Sequence, residues 1–169
     1  MKILLISTGG TINSEPDYGA DKIAVFRPDS KSRMKKYIKE LINPDFEVVE
    51  KVICLRDSGD ITDELRDDIV SEILNSNCDN IVITHGTDTM IQTGKYLARK
   101  LGKGLSKKVI LVGSFYPLSF AQSDAAFNLG FAFGKIEHLV PGVYIAMSSQ
   151  IFDVDKVAKN RNLMRFVAT

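Results

Sequence analysis

The chain has 169 residues, of which 44% are hydrophobic and 25% charged, and its 22 Lys and Arg against 21 Asp and Glu give a formal net charge of +1. This length fits one compact domain, and this composition excludes disordered, collagen-like and coiled-coil chains. A near-neutral chain also lacks the positive charge typical of a general nucleic-acid binder.

The cysteines and histidines are few and widely spaced. Cys54 and Cys78 form no C-x-x-C pair, and His85 and His138 form no H-x-x-x-H pair, so no structural zinc site is expected. Reduced thiols, short apolar runs and an apolar opening segment too short for a secretory signal together predict a cytoplasmic protein without a membrane span.

Five short apolar segments rich in β-branched residues alternate with helical patterns along the chain. The segments are nearly continuous in hydrophobicity, which is typical of parallel strands covered on both faces. Apolar residues at helical spacing, with Thr62 and Ser123 as N-caps, predict four helices between them. The predicted strands are 3–7, 47–55, 80–84, 108–113 and 142–147, and the predicted helices are 31–42, 62–76, 89–101 and 123–136.

This alternation predicts an α/β fold in which a doubly wound, mostly parallel sheet forms the middle of three layers, as in flavodoxin-like and Rossmann-like proteins. We expect one domain over residues 1–169, with no second domain. The helix 123–136 is expected to be nearly buried. The segment 11–30 is long for a strand-to-helix connection, and long loops of this kind are usually functional. The tail 148–169 is only weakly patterned.

Small hydroxyl residues follow every predicted strand, and most of these strand ends also carry a glycine. Ligands of open parallel sheets bind beyond the carboxyl ends of the strands, so these residues should share one edge. Taken singly, each end is better explained as a turn or a helix cap than as a functional site, and His85 is better explained as a hydrogen-bonded structural histidine than as a base. The strand ends are Ser7-Thr8-Gly9-Gly10-Thr11, 56–60, 84–89, 113–117 and 148–150.

The glycines at these ends do not follow the G-x-G-x-x-G, Walker or G-x-S-x-G patterns, which argues against dinucleotide, Walker-type and nucleophile-elbow sites. The ends do resemble motifs of the bacterial-type L-asparaginase family, namely T-G-G-T-I after the first strand and I-T-H-G-T-D-T-M after the third. Further similarity lies at 57–60, 112–114, 123–129 and 147–160. It thus extends over nearly the whole chain, which corresponds to the first part of a usual family member.

This resemblance implies an amidohydrolase that converts L-asparagine and water to L-aspartate and ammonia through a threonine nucleophile. It implies that Thr11 is the nucleophile and that Tyr18, in the loop that follows, assists it. Thr87, Asp88 and Lys159 are the other catalytic positions that match. Without the neighbouring motifs, Lys159 would be interpreted as an ordinary solvated lysine.

The resemblance also implies which residues bind the substrate. These are Gly10, Ser58, Gly59 and Asp88, with Ser58 holding the α-carboxylate and Asp88 pairing with the α-amino group. Neither a metal nor an organic cofactor is implied. Usual family members continue into a second domain that supplies an acidic substrate contact across a subunit interface.

The chemistry required of these residues can be stated independently. A threonine hydroxyl needs a base, and a lysine amine serves as one only when it is deprotonated. We expect Lys159 to deprotonate a threonine while Asp88 orients it. The N–H groups of Gly10 and Thr87 are expected to stabilise the oxyanion, and the loop from 12 to 24 is expected to close as a lid.

Two further expectations concern the surroundings of the site. Glu15 or Asp21 is close enough in sequence to Tyr18 to help it serve Thr11. The sequence departs from the family pattern after the fourth strand, where Tyr116 stands in place of an arginine and removes a charge from the rim.

Three other functions remain open on the sequence alone. The chain could bind asparagine or aspartate without turnover, act as an amidase on glutamine or a larger amide, or be a flavodoxin-like phosphate binder, which the acidic Glu15 and Asp17 disfavour. The expected partners are a small-molecule substrate, with no nucleic acid or membrane, and further copies of the chain. Apolar residues on the helices 89–101 and 123–136 predict a homodimer or homotetramer.

Overall fold

The computed structural model describes residues 1–17, 22–23 and 32–169 of the chain. In these ranges the strands are β1 (Lys2–Gly9), β2 (Pro16–Asp17), β3 (Lys22–Ile23), β4 (Glu47–Arg56), β5 (Asn80–Thr84), β6 (Lys108–Val112), β7 (Gly142–Met147), β8 (Gln150–Asp153), β9 (Val157–Asn160) and β10 (Arg165–Ala168). The α-helices are α1 (Met34–Tyr37), α2 (Asp63–Asn75), α3 (Met90–Leu101) and α4 (Ala125–Ile136).

Six of the strands form one mixed sheet in the order β4-β1-β5-β6-β7-β8. All neighbouring pairs are parallel except β7 with β8. The strand order reverses beside β1, so the crossovers leave helices on both faces. The predicted doubly wound, three-layer α/β fold is confirmed.

Side chains of successive residues on the inner strands enter two separate hydrophobic cores. On β1, Leu4 and Ile6 pack with residues of α2 and α3, whereas Ile3 and Leu5 pack with residues of α1 and α4. Because neighbouring side chains of a strand point to opposite faces, a strand buried on both sides must be apolar at every position. This requirement explains the continuous apolar runs of the sequence.

The five predicted strands and the helices α2, α3 and α4 occur close to their predicted bounds. The first helix is shorter than predicted, since α1 ends after one turn and continues as a π-helical turn over Ile38–Ile42. Thr62 caps α2 as predicted, because its hydroxyl accepts a hydrogen bond from the Leu65 N–H at 3.4 Å. The Ser123 hydroxyl accepts one from the Ala125 N–H at the start of α4.

The expectation that α4 is nearly buried is wrong for part of its surface. Phe127 is 57% exposed, and its ring stacks on that of Phe131 at 6.2 Å between centroids. The helix packs on the sheet along one side only, through Leu129, Phe133 and Ile136. The expected homodimer or homotetramer stays a prediction, as does the assignment of residues 1–169 to one domain without a second.

The tail is more regular than its sequence suggests. β8 pairs antiparallel with β7 through a two-residue turn, Ser148–Ser149, in which both residues have positive φ angles, 55° and 64°. Such a turn normally carries Asn-Gly or Asp-Gly, so a Ser-Ser pair provides no hairpin signal. β9 and β10 then form a second antiparallel hairpin.

This second hairpin, β9–β10, is fixed to the body of the protein by apolar side chains. Phe166 on β10 is only 2% exposed and Val157 on β9 only 6%. Phe166 lies directly opposite Lys159 in the hairpin register, and its N–H donates to the Ser148 hydroxyl at 3.3 Å. Burial of Phe166 therefore determines where the backbone of Lys159 lies.

In the part of the chain that the structure describes, no helix combines the length and the apolar character needed to cross a membrane.

We predict that Phe166→Ala lowers the free energy of unfolding by about 3–5 kcal/mol, because it removes a buried ring and leaves a cavity. Phe166→Leu should cost much less, about 1–2 kcal/mol, since it retains most of the apolar volume. Urea denaturation followed by circular dichroism measures both values. Leu163→Ala, at a 56% exposed position next to β10, is the matched control. A loss below about 1 kcal/mol in Phe166→Ala would contradict the proposed anchoring.

Candidate active site

Three strand-end loops pack directly against one another at the carboxyl edge of the sheet. A Cβ atom placed on Gly10, after β1, would lie 2.2 Å from the Gly86 nitrogen, after β5. A Cβ atom placed on Gly86 would lie 2.7 Å from the Cβ of Ser58, after β4. Thr11 and Thr87 directly follow the two glycines, so this contact places both predicted catalytic threonines at the same edge.

The backbone around Gly10 is already engaged in hydrogen bonds. Its φ of 76° and ψ of 176° favour glycine, and its N–H donates to the Arg56 carbonyl at 2.8 Å. This bond corrects the expectation that the Gly10 N–H serves as an oxyanion donor.

A hydrogen bond also joins the loops after β5 and β4. The Thr89 hydroxyl donates to the Ser58 carbonyl at 2.6 Å.

The residues after Gly10 belong to the body of the domain. Thr11–Asn13 form one 3-10 turn, Ile12 is 1% exposed, and its carbonyl accepts from the Leu118 N–H at 3.3 Å. A buried, hydrogen-bonded residue cannot swing as part of a lid, so the predicted lid does not begin at Ile12. Tyr18 and part of the predicted lid, residues 18–21 and 24, lie outside the described residues.

The Glu15 side chain contacts α1 and Arg33, the residue that precedes α1. Its carboxylate accepts from the Tyr37 hydroxyl at 3.2 Å and pairs with the Arg33 guanidinium at 2.8 Å. Burial and the Glu15 charge raise the pKa of Tyr37. Glu15 is thus held by α1, and the expectation that Glu15 or Asp21 helps Tyr18 serve Thr11 stays a prediction, because Tyr18 and Asp21 lie outside the described residues.

Lys159 meets two of the predicted catalytic residues. Its Nζ donates to Thr87 Oγ1 at 2.8 Å and to Asp88 Oδ1 at 2.6 Å. The Lys159 side chain is 14% exposed and the Asp88 side chain 54%, so the lysine lies on the inner side of the carboxylate. The hairpin β9–β10 thus brings a lysine to a hydroxyl and a carboxylate that are more than seventy residues away in sequence.

Asp88 has a second cationic neighbour that the sequence analysis missed. The Arg161 guanidinium lies 3.2 Å from the same Asp88 Oδ1. The hydrogen bond from Lys159 lowers the pKa of Asp88 below its usual value; burial opposes this shift, and the charges of Lys159 and Arg161 add to it. Arg161 lies in the turn after β9, so no periodic pattern of the sequence marked it.

Phe115 forms an apolar wall beside the lysine. The Lys159 Nζ lies 5.6 Å from the centre of its ring. The Asp124 carboxylate accepts hydrogen bonds at 3.1 Å from the N–H groups of Phe115 and Tyr116, and Asn128 Nδ2 donates to Asp124 at 2.9 Å. The start of α4 therefore holds the loop that carries the wall, a role that sequence reasoning did not assign.

A cavity of about 480 Å³ adjoins this wall. Phe115 lines it together with Tyr116, Asp124, Phe127 and Met164. Tyr116, the position that departs from the family pattern, is 51% exposed and lines this cavity, and its expected place at the rim of the catalytic site stays a prediction. The cavity lies on the side of Phe115 formed by α4 and the β7–β8 turn.

Ser58 and Gly59, two of the predicted substrate-binding residues, differ in exposure. Ser58 is 1% exposed, and its buried hydroxyl has no hydrogen-bond partner among the described residues. Gly59 is exposed, with open space where a Cβ would stand. Their roles toward a substrate stay predictions. In the described ranges, no three His, Cys, Asp or Glu side chains come together as a metal site.

His85 lies beneath this loop cluster and is fully buried. Its Nδ1 lies 2.8 Å from the Gly86 carbonyl oxygen, which makes Nδ1–H the donor. Burial lowers the pKa of His85 to about 4, and the nearby Arg66 charge adds to this effect. The interpretation of His85 as a hydrogen-bonded structural histidine agrees with this environment.

The fold and the cluster define an open-sheet α/β protein with a candidate acyl-transfer site at its carboxyl edge. Residues 2–165 match the family described as Asparaginase, N-terminal, and the chain belongs to this asparaginase family. The predicted resemblance is confirmed.

Relatives and solved structures agree with this assignment. One of the glutamyl-tRNA(Gln) amidotransferase subunits of Thermococcus kodakarensis is 35% identical over 131 residues, which cover 75% of this chain and 29% of that protein. The L-asparaginase of the same organism is 29% identical over 174 residues, covering 96% and 49%. The solved structure of the thermostable L-asparaginase from this organism has a TM-score of 0.81 over 99% of this chain and 51% of that chain.

A probable cytoplasmic L-asparaginase from Campylobacter jejuni is equally similar in structure, with a TM-score of 0.81 and 26% identity over 99% of this chain and 52% of that chain. The chain therefore spans about half the length of the L-asparaginases it matches, and less of the amidotransferase subunits.

We predict that Gly10→Ala destabilises the protein by at least about 3 kcal/mol, because a Cβ at a positive φ would collide with the Gly86 backbone. Gly59→Ala is the matched control, since nothing lies within 4 Å of its Cβ position. Thermal and urea unfolding of the two variants measure the difference. Equal stability would show that the two loops do not approach each other as described.

We predict that stability falls as the pH is lowered through the range set by His85. The unfolded imidazole takes up a proton near its usual pKa of 6.5, whereas the folded one does so only near 4. Protonation therefore favours the unfolded chain, and the loss should be about 2 kcal/mol between about pH 7.5 and about pH 5.

The same unfolding curves should depend less on pH in His85→Gln, which lacks this titrating group. His138→Gln removes the other histidine of the chain, which is exposed, and should keep the pH dependence of the natural sequence. The attribution to His85 fails if both variants lose stability by the same amount on acidification.

Proposed function

We propose that this chain carries the catalytic residues of an amidohydrolase that converts L-asparagine and water to L-aspartate and ammonia. The observation that carries the proposal is the contact of Lys159 with both Thr87 and Asp88. Membership of the asparaginase family supports it, as do relatives named L-asparaginase. A hydroxyl, an amine and a carboxylate in direct contact are the groups needed to activate a nucleophile.

The proposed reaction proceeds in two steps. The Oγ of a threonine, Thr11 in the first instance, attacks the side-chain amide carbon and forms an ester. The carbon–nitrogen bond breaks, and the nitrogen leaves as ammonia with the proton that the hydroxyl gave up. Water then attacks the ester, which restores the threonine and releases aspartate. Thr87 is the alternative nucleophile, because it is the threonine that contacts Lys159.

Lys159 acts as the base in this proposal. In its deprotonated form it takes the hydroxyl proton of Thr87 along the 2.8 Å contact, and Asp88 holds it in position through the 2.6 Å contact. Phe115 shields the same amine from water on one side. Because the Gly10 N–H already donates to the Arg56 carbonyl, the Thr87 N–H is the proposed oxyanion donor.

Substrate binding would use the residues around this trio. Ser58 and Gly59 are proposed for the α-carboxylate and Asp88 for the α-ammonium group, while Tyr18 would assist Thr11 from the loop. The Ser58 hydroxyl supports this assignment, because it is a buried hydrogen-bonding group without a partner among the described residues. The proposed small-molecule substrate requires neither a nucleic acid nor a membrane.

Hydrolysis of glutamine or a larger amide is a second candidate function. It is favoured by the relatives named as subunits of glutamyl-tRNA(Gln) amidotransferases, which are up to 35% identical to this chain. Such a function would place the chain in a complex with other proteins. Rates of ammonia release from asparagine and from glutamine, measured side by side, separate the two substrates. Tight aspartate binding without any turnover would instead favour a binding module.

The test of the proposed function is ammonia release from asparagine by the purified chain and by substituted forms. Lys159→Arg keeps a cation beside Asp88 but cannot give up its proton, so kcat should fall by at least about 100-fold. Thr11→Ala and Thr87→Ala should each lower kcat by about 1,000-fold or more, because each removes a reacting or proton-donating hydroxyl.

Lys156→Arg is the matched control for the lysine, since Lys156 is an exposed residue beside the start of β9. Its activity should equal that of the natural sequence. Full activity in Lys159→Arg would exclude Lys159 as the base, and full activity in Thr11→Ala would exclude Thr11 as the nucleophile. Unfolding curves of each variant show whether a loss of activity reflects a loss of fold.

A further inference from the structure

Two cations share one oxygen of the Asp88 carboxylate. Lys159 Nζ lies 2.6 Å and the Arg161 guanidinium 3.2 Å from Asp88 Oδ1. With Lys159 protonated, one negative charge faces two positive charges, and with Lys159 deprotonated, as the proposed proton transfer requires, Arg161 still balances the charge of Asp88. In both forms, a ligand that approaches Asp88 meets no net negative charge.

The two cations lie on different sides of the carboxylate. Lys159 is 14% exposed and also contacts Thr87, whereas Arg161 is 70% exposed. Arg161 therefore covers the outer side of Asp88, where a ligand would arrive from solvent. Its guanidinium can pair with a second carboxylate through its other N–H groups, because arginine has five donors in a planar fork.

This arrangement affects ligands according to their charge. A substrate ammonium group at Asp88 would have to displace or approach the Arg161 cation, and like charges repel. A substrate that has a carboxylate but no ammonium would meet no such repulsion and would keep the attraction of its carboxylate to Arg161. The proposed function makes Asp88 the partner of the ammonium group, so the inference rests on it.

We propose that Arg161 is a specificity-determining residue that shifts the preference of the site from amino-acid amides toward anionic monoamides without an ammonium group. L-asparagine represents the first class and succinamate, which is asparagine without its amino group, represents the second. Arg161 acts on both through its contact with Asp88 at the mouth of the site.

The experiment measures kcat/KM for L-asparagine divided by kcat/KM for succinamate in a series of graded charge at position 161. Relative to the natural sequence, this ratio should stay within about 2-fold in Arg161→Lys, rise about 2- to 5-fold in Arg161→Ala, and rise about 10-fold or more in Arg161→Glu. The differences should shrink at high salt, because the contact is exposed.

Arg165→Ala is the matched control, because it removes an exposed arginine of the same hairpin and should leave the ratio unchanged. A merely structural role of Arg161 would lower both kcat/KM values together and would not follow the charge of the side chain. A ratio that is unchanged in Arg161→Ala and Arg161→Glu, or that moves toward succinamate, overturns the inference.

Binding measurements separate failure of this inference from failure of the proposed function. If the chain hydrolyses neither amide, the proposed function fails, and the ratio of the dissociation constants for succinate and aspartate replaces the kinetic ratio. Calorimetry should then show the same rise with decreasing charge at position 161. Absence of binding of both aspartate and succinate to the natural sequence overturns the inference as well.

Discussion

The close approach of Gly10 to Gly86 is the constraint on which the candidate site depends. The two backbones meet where any side chain would collide, 2.2 Å from the Cβ position of Gly10 to the Gly86 nitrogen. Neighbouring parallel strands bring their ends to one edge, but only missing side chains let the loops after β1 and β5 touch. Because Thr11 and Thr87 follow these glycines directly, the contact converts two separate strand ends into one candidate site.

Lys159, the third part of the candidate site, is held at this edge by a different kind of interaction. Lys159 belongs to none of the six sheet strands, and its position depends on a small hairpin with little hydrogen bonding to the main sheet. Apolar burial of Phe166 and Val157 replaces the missing strand pairing. The position of Lys159 therefore depends on packing in the hydrophobic core, whereas the positions of Thr11 and Thr87 depend on backbone geometry. A substitution in the core can thus displace the lysine without displacing the threonines.

The sequence predicted the fold well where one physical rule dominated. Strands buried on both faces must be apolar throughout, so the runs that became β1, β5 and β6 were unambiguous. The tail carried no such signal, because its hairpins rely on a Ser148–Ser149 turn and on two isolated apolar anchors. Likewise, the resemblance to the family motifs pointed to Thr87, Asp88 and Lys159, whereas Phe115 and Arg161 reach the site only through tertiary contacts that no local pattern encodes.

These differences divide the candidate site into two parts with different freedom to vary. Thr87 and Lys159 are held by buried elements, and their 2.8 Å contact leaves little room for substitution. Among the described residues, the Arg161 side chain pairs with Asp88 and is 70% exposed, so its replacement costs the fold little. The same carboxylate therefore links a rigid, buried interior to an adaptable charged rim, and the proposed effect of rim charge on substrate preference requires no change in the groups that are proposed to react.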